Sequence, residues 1–241
     1  MREGVPTLLA VAHGTRDERG PGVVRALLAR VRELRPWLPV AGSYAELAEP
    51  SLEEAVSGVG GPVVVVPLLL GRGYHALVDI PGRVERLRPD AVVSGPLGPS
   101  AMLAGAVADR LLAGLPGGPR LLRSDAVVLG AAGSSDPAGV ADVRAAARLV
   151  SRRLRRPVPF GFVAAGGPPL AGVVAEQRAS GAGRVLVASY LLAPGFFHGR
   201  MGGAGADHVS GPVGAHDALA RLVLRRFDEA RLACADVVPV A

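Results

Sequence analysis

The chain predicts an α/β protein made of two similar domains, each a four-stranded parallel sheet flanked by helices. Three observations carry that expectation. Short apolar, β-branched runs alternate with amphipathic stretches along the chain. The alternation is run through twice, with matching segments in the same order about 120 residues apart. Between the two passes lies Leu115-Pro116-Gly117-Gly118-Pro119, the Pro/Gly signal of a linker. The expected domains are therefore 1–115 and 120–241.

In the first pass the strands are expected at Leu8–Ala12, Val40–Tyr44, Val63–Leu70 and Ala91–Val93. Their apolar character is nearly continuous, as in parallel strands covered on both faces. Between them, Gly22–Arg35 sets Val23, Ala26, Leu27, Arg30, Val31 and Leu34 at i, i+3, i+4, i+7 spacing, a helical face. Ser51-Leu52-Glu53-Glu54 reads as an N-cap followed by acids in the first turn. Asp79-Ile80-Pro81 reads as a helix start with proline in the first turn. The second pass repeats the scheme with strands at Ala126–Ala131, Val158–Val163, Arg184–Leu192 and His208–Val209. Val93-Ser94-Gly95-Pro96-Leu97-Gly98 returns as Val209-Ser210-Gly211-Pro212-Val213-Gly214, and the segment from Val11 to Asp17 returns as Ala131 to Asp136. Crossovers are expected to be right-handed.

Composition narrows the function classes. The chain is 49% hydrophobic and 20% charged, with mean hydropathy +0.34, which excludes a disordered polymer. A single cysteine, Cys234, excludes an internal disulfide and a four-cysteine metal site. No apolar run approaches the roughly 20 residues that span a bilayer, so no membrane partner is expected. Met1-Arg2-Glu3-Gly4 leads into no clear signal segment, and residues 235–241 form no histidine-rich tail. A soluble cytoplasmic protein is the expectation. Net charge is +6, but every one of the 27 basic residues is arginine, a compositional bias rather than a nucleic-acid footprint. Five Phe and three Tyr offer few stacking platforms, so no nucleic-acid partner is expected. A phosphate-cradling loop ending in Gly-Lys cannot exist in a chain without lysine, which disfavours ATP-dependent chemistry.

The chemistry-bearing residues gather at predicted strand ends. Ligands of open parallel sheets bind beyond the carboxyl ends, where the strand order switches. His13 follows the first strand, and His75 lies in the loop after the third. In a 2-1-3-4 order these strands are neighbours, so both imidazoles overhang one crevice. Glu46 follows the second strand on the same rim. Two imidazoles and a carboxylate suit a borderline divalent metal.

The same residues carry a family resemblance. His13-Gly14-Thr15-Arg16-Asp17, then Glu46-Leu47-Ala48-Glu49-Pro50-Ser51-Leu52-Glu53-Glu54-Ala55, then Val65-Val66-Pro67-Leu68 with Gly73-Tyr74-His75 and Asp79-Ile80-Pro81, resemble the class II chelatases. They are most similar to the sirohydrochlorin chelatases of siroheme and cobalamin biosynthesis, which have long, tandem-domain forms. The resemblance implies an ATP-independent lyase that inserts Co²⁺ or Fe²⁺ into sirohydrochlorin, with no cofactor beyond that substrate metal. It implies that His13 and His75 bind metal and assist deprotonation, and that Glu46 fills a commonly acidic catalytic position. It also implies a substrate cleft between the domains of a monomeric internal pseudo-dimer.

In the second pass His13 is matched by Ala132, and Glu46 and Glu49 by Ala164 and Gly167; His198 is read as the counterpart of His75. That half is expected to hold the macrocycle rather than the metal. Arg16, Arg72, His198 and Arg200 are the expected substrate-binding residues, suited to a polycarboxylate. His208 and His216 are expected to be structural. The alternatives are a metal or tetrapyrrole carrier on the same fold and a histidine phosphatase-like hydrolase. The latter usually has arginine before its histidine, where this chain has Ala12. Imidazole chemistry predicts that activity falls as pH drops through roughly 6–7.

Overall fold

The computed structural model describes residues 4–235. The expectations resting on Met1-Arg2-Glu3 and on the tail after Ala235 lie outside the described residues. The first sheet comprises β1 (Thr7–Ala12), β2 (Val40–Tyr44), β3 (Val63–Pro67) and β4 (Val92–Val93), all parallel, in the order β2-β1-β3-β4. The second comprises β5 (Asp125–Ala131), β6 (Phe160–Phe162), β7 (Arg184–Tyr190) and β8 (His208–Val209), parallel, in the order β6-β5-β7-β8. The 2-1-3-4 order, in which the first and third strands are neighbours, is present in both. β1 is buried at Leu8 through Ala12 because helices cover both sheet faces.

Helices α1 (Arg19–Leu34), α2 (Leu52–Gly58), α3 (Ile80–Leu87) and α4 (Ala101–Ala113) come from the first repeat. Helices α5 (Pro137–Leu154), α6 (Leu170–Ala179), α7 (Phe196–Met201) and α8 (Asp217–Ala235) come from the second. α2 begins with a complete capping box: Ser51 Oγ accepts from Glu54 N, and the Glu54 carboxylate accepts from Ser51 N at 2.9 Å. β3 ends at Pro67, earlier than the expected Leu70, although Leu68 N still bonds to Val11 O at 2.7 Å. His75 is not in a plain loop. It opens a π-helical turn, His75–Asp79, whose bond from Ile80 N to His75 O leads directly into α3.

The chain forms two compact units whose boundaries differ from the sequence repeats. One unit holds residues 1–97 and 215–241; the other holds residues 98–214. The last helices are exchanged. α8 packs on α1, β3 and β4 of the first unit, burying Leu219, Leu222, Val223 and Phe227. Arg35 clamps Asp228 through two bonds of 2.6 and 2.8 Å, and Arg30 pairs with Asp217. α4 packs on α5 and β7 of the second unit, where Arg110 Nε donates to Val213 O at 2.7 Å. The expected division between residues 115 and 120 thus follows the repeat, while burial of the two apolar helices sets the packed units.

Candidate metal and substrate site

Hydrogen bonds carry the first sheet past the formal end of its strands. Ala45 N bonds to Ala12 O at 2.8 Å, and Glu46 N bonds to His13 O at 2.9 Å. Gly14 permits this crossing. Its φ is +97°, and a Cβ there would lie 1.7 Å from Glu46 O. β1 therefore delivers His13 beside the end of β2, while neighbouring β3 leads to the π-helical turn bearing His75. The two imidazole centroids are 4.6 Å apart, with ring planes inclined at 51°.

The two rings differ in surroundings. His13 Nδ1 is buried without a hydrogen-bond partner. Burial, then the neighbouring His75, hold its pKa below the ordinary 6.5, against weaker opposing pulls from Glu46 and Asp79. His13 is therefore held as a neutral imidazole with a lone pair to offer. His75 Nδ1 lies 3.1 Å from Asp79 Oδ2, one helical turn on. Asp79 in turn lies 3.4 Å from Arg83 Nη1. Arg83 forks onto Glu53 at 2.7 and 2.8 Å and donates to Ala45 O at 3.0 Å.

Glu46 sits on the rim as expected, and it is exposed. The anticipated trio of two imidazoles and a carboxylate is not formed as one donor cluster. Among the described residues no group of three His, Cys, Asp or Glu side chains is placed to hold a metal. The carboxylate within hydrogen-bond distance of His75 is Asp79, which the sequence marks only as a helix start. Its signal was the four-residue spacing from His75, which a helical turn brings to one side. Exposed apolar side chains flank the pair: Leu47 next to Glu46, then Tyr74, Leu77 and Val78 around His75. Arg16 and Arg72 are exposed on the loops after β1 and β3.

The second sheet repeats the scaffold without the donors. Ala164 N bonds to Ala132 O at 2.9 Å, reproducing the Glu46–His13 bond with two alanines. Leu97 N bonds to Leu69 O, and Val213 N bonds to Leu191 O, so Leu69 and Leu191 correspond. Six residues beyond them stand His75 and Phe197. His198 follows Phe197 in α7. Its Nε2 donates to Ser210 O at 3.0 Å, a bond that ties α7 to the end of β8. Arg200 is exposed, its guanidinium 5.7 Å from the Phe196 ring centroid. His208 is half-buried, and His216 Nδ1 accepts from Ala218 N at 3.1 Å at the start of α8. Among the described residues no helix is long and apolar enough to cross a membrane.

Comparison with known proteins agrees with the doubled architecture. The CbiX family model matches residues 7–113 and again residues 126–230. A sirohydrochlorin cobaltochelatase from Methanosarcina acetivorans is 32% identical over 79 residues, 31% of this chain and 61% of that protein. Another from Methanopyrus kandleri is 37% identical over 79 residues, covering 31% of this chain and 54% of that protein. The chain thus spans less than two thirds of the length of these curated relatives. Among solved structures, SirB from Bacillus subtilis with Fe³⁺ is 26% identical, with a TM-score of 0.78 over 97% of this chain and 98% of that one.

Proposed function

We propose that this protein inserts Co²⁺ or Fe²⁺ into sirohydrochlorin without ATP, on the premise that the chain belongs to the CbiX family. The observation that carries the reading is the imidazole pair, 4.6 Å apart, one ring half-buried with a buried, unpartnered Nδ1 and the other braced by a carboxylate. The first repeat, residues 1–115, supplies this site, and the second, residues 120–241, is a degenerate copy.

Insertion requires two pyrrole N–H protons to leave while the metal ion sheds water. Neutral imidazoles can ligate a borderline metal and accept those protons. The low pKa of His13 keeps its lone pair available near neutral pH. Glu46, at the sheet crossing, offers a solvated carboxylate to pass protons outward. Leu47, Tyr74, Leu77 and Val78 offer apolar contact to a flat macrocycle. Arg16 and Arg72 are assigned to its carboxylates. His198 has only Nδ1 left for a ligand, because Nε2 is engaged by Ser210.

The test is anaerobic mixing of the protein with Co²⁺ or Fe²⁺ and sirohydrochlorin, followed by absorption over several turnovers. His13→Ala and His75→Ala should each cut the initial rate at limiting metal by at least about 100-fold while the fold persists. Near-wild-type turnover in either variant overturns the assignment. Uptake of one equivalent without turnover favours a carrier.

A further inference from the structure

We propose that Asp79, held by Arg83 and Glu53, is a positioning residue that keeps His75 in the Nδ1–H tautomer with Nε2 bare. The inference deepens the proposed function and rests on it for its kinetic part only. An ionised carboxylate has no hydrogen to give, so the 3.1 Å contact from His75 Nδ1 requires the proton to sit on that nitrogen. Free neutral imidazole prefers the opposite tautomer, with Nε2 protonated and unable to accept a proton or ligate a metal. Asp79 reverses that preference. It also fixes the ring in rotation, as carboxylates do behind metal-binding histidines.

Asp79 is itself restrained. Its side chain is only 17% exposed, and Arg83 reaches it at 3.4 Å. Arg83 is pinned by its fork onto Glu53 and its bond to Ala45 O. Three elements thus converge on the orientation of one ring: the π-helical turn with α3, the end of β2 and the first turn of α2. The capping box sets the start of α2 and so the place of Glu53.

The second repeat supplies an independent observation. The place that Ile80 takes in the apolar cluster with Leu52 and Val65 is taken in the second repeat by Met201, with Leu170 and Val187, and Arg200 precedes Met201 where Asp79 precedes Ile80. The isolated bridges Tyr44–Ser51 and Phe162–Pro169 correspond, so Ala171 stands at Glu53. The repeat that lacks the imidazole pair also lacks the carboxylates behind it, although its sheet has the same order. A network needed for the fold would accompany the sheet in both repeats. This one is absent together with the imidazole pair, as a group that serves it would be.

The test reads the tautomer directly. Long-range ¹H–¹⁵N correlation spectra of the metal-free, full-length protein above pH 7.5 separate protonated from bare ring nitrogens. In the wild type His75 should show Nδ1–H and bare Nε2; in Asp79→Ala it should shift toward Nε2–H. The same variant should lose about 10–100-fold in kcat/KM for Co²⁺. An Nε2–H signal for wild-type His75 overturns the proposal, as does a tautomer unchanged in Asp79→Ala. If Asp79→Ala does not fold, the wild-type spectrum still decides the tautomer. Glu53→Gln then decides the clamp, and a KM for Co²⁺ equal to that of the wild type overturns it. Should the wild type insert no metal while the tautomer responds as stated, the functional reading fails and the positioning role stands.

Discussion

His13 and Gly14 are adjacent, and the two repeats separate what each is for. Both repeats keep the glycine: Gly14 has φ +97°, and Gly133 has φ +140° with the Ala165 carbonyl 2.4 Å from where a Cβ would sit. Only the first repeat keeps the histidine. The glycine therefore serves the crossing of two strand ends, which the second repeat makes without the histidine. Gly14→Ala should destabilise the protein by at least about 2 kcal/mol, measured by urea unfolding, from φ strain and collision with Glu46 O. His13→Ala should leave that stability nearly unchanged. The pH dependence also belongs at this scale. Burial lowers the His13 pKa in the fold, so below 6.5 the unfolded chain takes up the proton first. Stability associated with His13 is complete above 6.5 and is lost as pH falls toward the folded value. The ring's proton signals should titrate with a midpoint below 6.5, and the acid limb that His13 contributes to the rate should lie there too. This lies lower than the fall through about 6–7 expected of an unperturbed imidazole. A His13 midpoint at or above 6.5 contradicts the burial that the structure assigns to it.

Among the elements, β2 and β8 match their expected spans, because apolar runs bounded by turn residues leave little freedom. The capping box of α2 was legible as Ser51 followed three residues on by Glu54. Ser51→Ala should cost about 1 kcal/mol in global stability and loosen the start of α2, where Glu53 holds Arg83. The check is urea unfolding together with amide exchange of residues 52–55, which should quicken in the variant. The π-helical turn was not legible. Nothing in His75-Ala76-Leu77-Val78-Asp79 distinguishes a π turn from an α turn. The choice depends on whether the wider turn lets Ala76 and Ile80 reach the core. With that turn, Asp79 escaped notice as a partner of His75.

For the molecule as a whole, the consequential feature is the exchange of last helices. The first unit is completed only by α8, which the chain supplies more than 100 residues after β4. A fragment of residues 1–115, which looks like a domain in sequence, would leave the faces of α1, β3 and β4 that α8 covers open to water. Such a fragment should lack a sharp thermal transition and bind hydrophobic dye. Adding a peptide of residues 215–235 should restore cooperative unfolding, read by near-ultraviolet circular dichroism. A fragment that melts cooperatively alone would mean that α4 can replace α8 on the first sheet. Phe227, at 2% exposed, is the largest apolar group that α8 contributes to this core, and its truncation to alanine should cost about 4 kcal/mol.

Sequence alone determined the α/β class, the doubling and the position of His13 just past a strand end, because these follow from local periodicity and from rules of chain direction. Each apolar run in a parallel sheet must be buried on both faces, and a residue just past such a run must emerge at the carboxyl edge. Tertiary structure decided three things. It gave α4 and α8 to units other than those of their own repeats, since apolar helices settle where they bury most area. It placed Asp79 against His75, because a helical turn brings residues four apart together. And it left His13 Nδ1 buried without a partner, a consequence of packing around the ring that no spacing of residues encodes.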